Sequence, residues 1–163
     1  MMNKLQIFAM CMVLLITAIP VCADNDPGAL AAPEWVRIGE RGANQEYMWF
    51  DWEDVRGATK YSLDIEAEVT YFDKIEGVRK TAEVELSFGT SDRTDGRDMS
   101  DSDLAIAKAD LRQAVLDALG LTDETVGPMS LDAMAKVKAL SPGKNKGRQN
   151  NPFSEKKTFK VVL

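Results

Sequence analysis

The chain has no histidine, and its two cysteines, Cys11 and Cys22, both fall near the N-terminus. The first absence excludes imidazole-based triads and the usual zinc sites. The second leaves the rest of the chain without a cysteine nucleophile or a disulfide. Long apolar runs are also missing, apart from Ile7 to Ile19. No glycine-rich phosphate loop follows a strand pattern and opens a helix. Ser-x-x-Lys occurs only as Ser141-Pro-Gly-Lys144, where proline and glycine make a loop. Paired carboxylates could hydrolyse a glycoside, but the acids fall on alternating, outward positions of strand-like segments, in contact with water. The expectation is a protein that is not an enzyme, with no cofactor and no bound metal.

What is present begins with a leader. Lys4 precedes the apolar run, Pro20 follows it, and Val21-Cys22-Ala23 leads into Asp24-Asn25-Asp26. The run is too short to span a bilayer comfortably and has the layout of an export signal. Cleavage after Ala23 is expected, giving a secreted or periplasmic product with no stable membrane insertion. A lipid-modified Cys22 would want a small residue where Val21 stands. Residues 24–32 read as a flexible lead and 33–163 as one domain.

The strongest pattern lies between Tyr47 and Phe88. From Tyr61, Leu63, Ile65, Ala67, Val69 and Tyr71 alternate with Ser62, Asp64, Glu66, Glu68 and Thr70. Such period-two alternation marks a strand with one face on a core and one in water. After a turn over Phe72 to Gly77, Ala82, Val84, Leu86 and Phe88 continue the inward phase, which predicts a long antiparallel hairpin. Trp35 to Ile38 reads as a first strand. Tyr47 to Trp52 reads as a second, with Met48, Phe50 and Trp52 on one face and Tyr47, Trp49 and Asp51 on the other.

Beyond Gly89 the chain turns polar. Leu104, Ala107, Leu111, Val115 and Ala118 then recur at helical spacing, with Ser100 or Ser102 as cap, Asp101 and Asp103 in the first turn, and Gly120 as stop. An amphipathic helix over 101–119 is predicted, covering an exposed sheet face such as the one that carries Trp49. A second helical turn over Thr122 to Val126 would end at Gly127-Pro128. Ala133, Ala135, Val137 and Ala139 alternate as a further strand, and Phe159, Val161 and Leu163 as the last.

Trp52 followed by Val55-Arg-Gly-Ala-Thr-Lys-Tyr61, with Ala135-Lys-Val-Lys-Ala-Leu140 and the stretch Asn151-Pro-Phe-Ser-Glu155 to Val161, resembles a fibronectin type III domain. The resemblance implies a mainly β, antiparallel immunoglobulin-like sandwich, with an insertion over 89–130 that carries the helix. It departs where the family has a corner tyrosine near the start of the sixth strand; Ala133 stands there. It implies no single function, because such domains mostly bind or space other molecules.

The net charge is −6, unevenly spread. From Ala133 onward, Lys136, Lys138, Lys144, Lys146, Arg148, Lys156, Lys157 and Lys160 stand against one acid, Glu155. Pairing of the sixth strand with the third would set Lys136 and Lys138 against Asp64, Glu66 and Glu68. Lys144, Lys146 and Arg148, on a loop, are free to contact an acidic protein, an acidic sugar or a lipid headgroup. Trp49, on an outward phase, is a further binding candidate, with Tyr47, Trp35 and Tyr71 as aromatic companions. Asp92, Asp95, Asp98, Asp101 and Asp103 raise the question of calcium, but Ser91 and Ser102 fall where that pattern wants acids. The expected role is an exported interaction module for a protein or glycan outside the cell, with no nucleic-acid partner. A carbohydrate-binding module, a self-assembling envelope subunit and a carboxylate hydrolase are the alternatives.

Overall fold

The computed structural model describes residues 29–90, 103–140 and 150–163. The expected export leader lies outside these residues. The elements are β1 (Trp35–Arg41), β2 (Tyr47–Trp52), β3 (Lys60–Asp73), β4 (Val78–Gly89), β5 (Asp103–Ala107), α1 (Lys108–Leu119), β6 (Val126–Leu140) and β7 (Lys157–Val162). They form two antiparallel sheets, one ordered β1-β2-β5 and the other β4-β3-β6-β7. The protein is mainly β, with an arrangement compatible with a β-sandwich.

The alternating residues do what their period requires. Leu63, Ile65, Ala67, Val69 and Tyr71 of β3 are buried, and β6 buries Leu131, Ala133, Ala135, Val137 and Ala139 beside them. The three-stranded sheet contributes Met48, Phe50, Trp52, Leu104 and Ile106 to the same core. Aromatic rings join the sheets: Phe50 meets Phe159 edge to face with centroids 5.4 Å apart, and Trp52 stands between Trp35 at 6.0 Å and Tyr61 at 5.1 Å. The Tyr61 hydroxyl accepts the Val55 amide at 2.8 Å, which fastens the link between β2 and β3. Ala133 sits buried between Ala67 and Phe159 on the neighbouring strands.

The two sheets differ in length. β3 runs for 14 residues and β6 for 15, whereas β2 has 6 and β5 has 5. The three-stranded sheet therefore cannot cover the whole inner face of the other. The aromatic contacts place it over the Tyr61 to Ala67 half. On the remaining half, Val69, Tyr71, Val126 and Met129 share the core with Leu111, Val115 and Leu116 of α1. The helix packs on β4 and β5, so it completes the core where the second sheet runs out.

This corrects the predicted helix over 101–119. Residues Asp103–Ala107 form strand β5, and the helix starts at Lys108 with Ala107 at its N-cap and no side-chain cap. Leu104 and Ile106 fit a strand as well as Leu104 and Ala107 fit a helix. The edge of β2 decides, because five residue pairs with β5 satisfy amides and carbonyls that would otherwise lie open. Gly120 ends the helix as expected, in the left-handed region at φ 65°, and Leu121 N–H closes back onto the Leu116 carbonyl. The expected helical turn at Thr122 to Val126 is also corrected: β6 begins at Val126 and runs through Gly127-Pro128. The register of β3 on β6 shifts between Tyr71 and Asp73, opposite that dipeptide. An irregularity there is where a proline without an N–H fits a ladder.

Candidate functional site

The outer face of the three-stranded sheet is built around Trp49. Gly42 and Gln45, both at positive φ, turn the chain between β1 and β2 and fix the register of the hairpin. Trp49 consequently lies between Gly39 of β1 and Ala105 of β5. Neither neighbour has a side chain long enough to cover an indole, and the space where Gly39 would carry a Cβ is empty within 4 Å. The Arg41 guanidinium lies 4.9 Å from the Trp49 ring centroid and donates to Asp51 at 2.7 Å. Arg37 approaches the same carboxylate at 3.9 Å. Asp51 thus holds Arg41 at the ring, and the half-buried indole, guanidinium and carboxylate form one small polar-aromatic surface.

Trp49 is outward, as its phase predicts, but its cover differs from expectation. α1 packs on β4 and β5, and the side chain placed against the ring is Arg41. Tyr47 shares this face; Trp35 and Tyr71 do not. Trp35 turns toward Trp52 and donates its indole N–H to the Glu155 carbonyl at 2.7 Å, and Tyr71 is buried. Arg41 and Asp51 were not singled out from the sequence. Their shared outward phase with Trp49 is a local signal, but the closeness of Arg41 needs the hairpin register.

The outer face of the four-stranded sheet carries the charge ladder. β6 pairs with β3 with Asp64 opposite Lys136 and Ser62 opposite Lys138. Lys136 donates to Glu66 at 2.7 Å, and Lys156, from the segment before β7, donates to the other oxygen at 2.8 Å. Lys160 pairs with Asp132. Lys136 and Lys138 also lie 5.1 and 5.2 Å from the Phe153 ring. The two ammonium groups on Glu66, that of Lys136 foremost, pull its carboxyl from the usual 4.5 to about 2. A carboxyl held down in this way is the reverse of a general acid, which needs its proton near neutrality.

The sign of the pH effect follows. Folded Glu66 binds its proton less tightly than unfolded Glu66, so its stabilising contribution is complete above about 4.5 and is lost as the pH falls toward about 2. Glu66→Gln is expected to lower the melting temperature modestly at neutral pH, since the pairs are partly exposed. It should also flatten the acid limb of stability between those values. Thermal melts across that range check it, and parallel acid limbs in the two proteins would show that Glu66 does not contribute.

Lys144, Lys146 and Arg148 lie outside the described residues, as do Asp92, Asp95, Asp98 and Asp101. Asp103 is part of β5. Among the described residues no group of three or more acids could hold a metal ion, and no helix is long and apolar enough to cross a membrane. Comparison with protein-family models, with curated proteins and with solved structures finds no match to this chain.

Proposed function

We propose that the chain is an exported, non-catalytic interaction module on a fibronectin type III-like sandwich, binding a glycan or protein outside the cytoplasm. The fold reading is supported by the seven strands in two antiparallel sheets among the described residues, with the sixth strand beside the third. Export is supported by the leader Lys4 to Ala23 in the sequence. The observation that carries the binding reading is the Trp49 surface, where an indole flanked by glycine and alanine stands beside an anchored guanidinium. Flat aromatic faces match the apolar C–H faces of sugars, and a guanidinium donates to hydroxyls or to a uronic carboxylate. A glycan is therefore the partner that this face fits best.

The test is a titration of the folded protein with a panel of neutral and acidic polysaccharides, followed by tryptophan fluorescence. Binding should shift the emission of Trp49, and Trp49→Ala should weaken binding about tenfold or more, the value of losing one stacked ring with its cation. Arg41→Ala should weaken acidic ligands more than neutral ones. No response to any polysaccharide, or a response that survives in Trp49→Ala, would overturn the glycan reading.

A further inference from the structure

The outer face of the four-stranded sheet is sorted by charge across its strands. β4 and β3 carry Glu83, Glu85, Glu66 and Glu68, interrupted by Arg79; β6, the segment beside it and β7 carry Lys136, Lys138, Lys156 and Lys160, interrupted by Asp132. The acids are set against each other. Glu66 lies directly opposite Glu85, and Glu68 lies opposite Glu83 on one side and Asp132 on the other. Like charges in opposed positions weaken a sheet; within the domain Lys136 and Lys156 offset this at Glu66, and Lys160 offsets it at Asp132. The lysines remain reachable, with the side chain of Lys160 79% exposed and that of Lys156 52% exposed. The same face carries Phe72, Met134 and Val162, which are among the few large apolar residues left exposed in the described part of the chain. A groove of about 650 Å³ crosses it, from Glu83 and Glu85 past Glu66 and Glu68 to Met134 and Thr158.

From this pattern we infer that the face docks on a second copy of the chain, as a two-fold dimer of four-stranded sheets. Two such faces can meet about a two-fold axis across the strands or along them. An axis across the strands lays β4 on β4 and sets acid on acid. An axis along the strands lays β4 over the partner's β7 and β3 over the partner's β6, which brings Glu83 to the partner's Lys160 and Asp64 to the partner's Lys136, with Glu68 over the partner's Asp132 as the like-charged contact. The contact is isologous and closes on itself. Met134 and Phe72 lie within it, as an apolar contribution between the charged halves. At strand spacings of about 4.8 Å and about 3.4 Å per residue, the face measures roughly 700 Å² in projection. Its standing side chains bring the accessible area close to the roughly 800 Å² per partner of a standard interface. This surface lies on the opposite sheet from Trp49 and does not depend on the glycan reading.

The test is sedimentation of the folded protein from low micromolar to near-millimolar concentration at low and high salt. A monomer–dimer equilibrium that weakens with salt is expected. E83K/E85K and K156E/K160E should each weaken the dimer about a hundredfold, through like charges across the contact. An equimolar mixture of the two should dimerise again. The first variant should keep its fold, because the introduced ammonium groups would face Glu68 and Glu66 within the sheet; circular dichroism checks this for both. Should the second variant fail to fold, M134D provides the same reading by blocking the centre of the face. A monomer at every concentration would overturn the inference. So would a dimer unmoved by these substitutions, or variants that stay monomeric when mixed.

Discussion

Phe50→Ala should lower the unfolding free energy by about 3–5 kcal/mol, the range for deleting a large buried aromatic. Phe50 is fully buried at the middle of β2 and meets Phe159 of β7 edge to face. It is therefore a contact between sheets and not within one. Each sheet is held rigid by its own ladder, so the two cannot close on the void, and the cavity cost adds to the lost transfer energy. Much of a domain's total stability, typically about 5–15 kcal/mol, would go with it. Phe50→Leu, which keeps most of the volume, should cost less than half as much. Urea denaturation followed by tryptophan fluorescence measures both. A loss below about 1 kcal/mol for alanine would mean that the sheets do not pack through this residue.

Arg112→Ala is expected to cost about 2–3 kcal/mol, consistent with losing charge-assisted bonds to partly buried acceptors. Arg112 leaves α1 and donates to the carbonyls of Val126 at 3.3 Å and Gly127 at 3.1 Å, and to Asp123 at 2.7 Å. It joins the helix to the start of β6, and its removal strands the acceptors that it satisfied. Arg112→Lys should recover less than half of the loss, because a single ammonium cannot reach three acceptors set for a planar fork. Paired melts of the three proteins decide it. A lysine variant as stable as the parent would reduce Arg112 to a simple positive charge.

The long hairpin was legible in the sequence because its signal is local: one face wet and one dry over many residues leaves little choice of conformation or phase. The Lys136 partner was legible for a related reason, since pairing β6 with β3 fixes which side chains face each other. Lys156, the second partner of Glu66, was not, because it reaches in from a segment outside any strand. β5 was misread because Leu104 serves both periods, and the free edge of β2, some fifty residues away in sequence, settles the choice. Gly127-Pro128 looked like a stop for similar reasons. Only the shifted register opposite them removes the need for the missing N–H. At the candidate site, the outward phase of Trp49 could be read directly, whereas its companion Arg41 depends on a hairpin turn whose length the strand pattern alone did not reveal.

The unequal lengths of the two sheets give the molecule a built-in order of loosening. Over the Tyr61 to Ala67 half, the core is closed by a sheet with its own ladder, and parting the layers disrupts many cooperative contacts at once. Over the other half it is closed by α1, held by Leu111, Val115, Leu116 and the Arg112 fork. A helix so attached can lift away while every strand keeps its partners. The domain therefore has a hinged side and a welded side. Local opening is expected to begin at the helix and to bare Val69 and Tyr71, which faster amide exchange in α1 than in β3 would check.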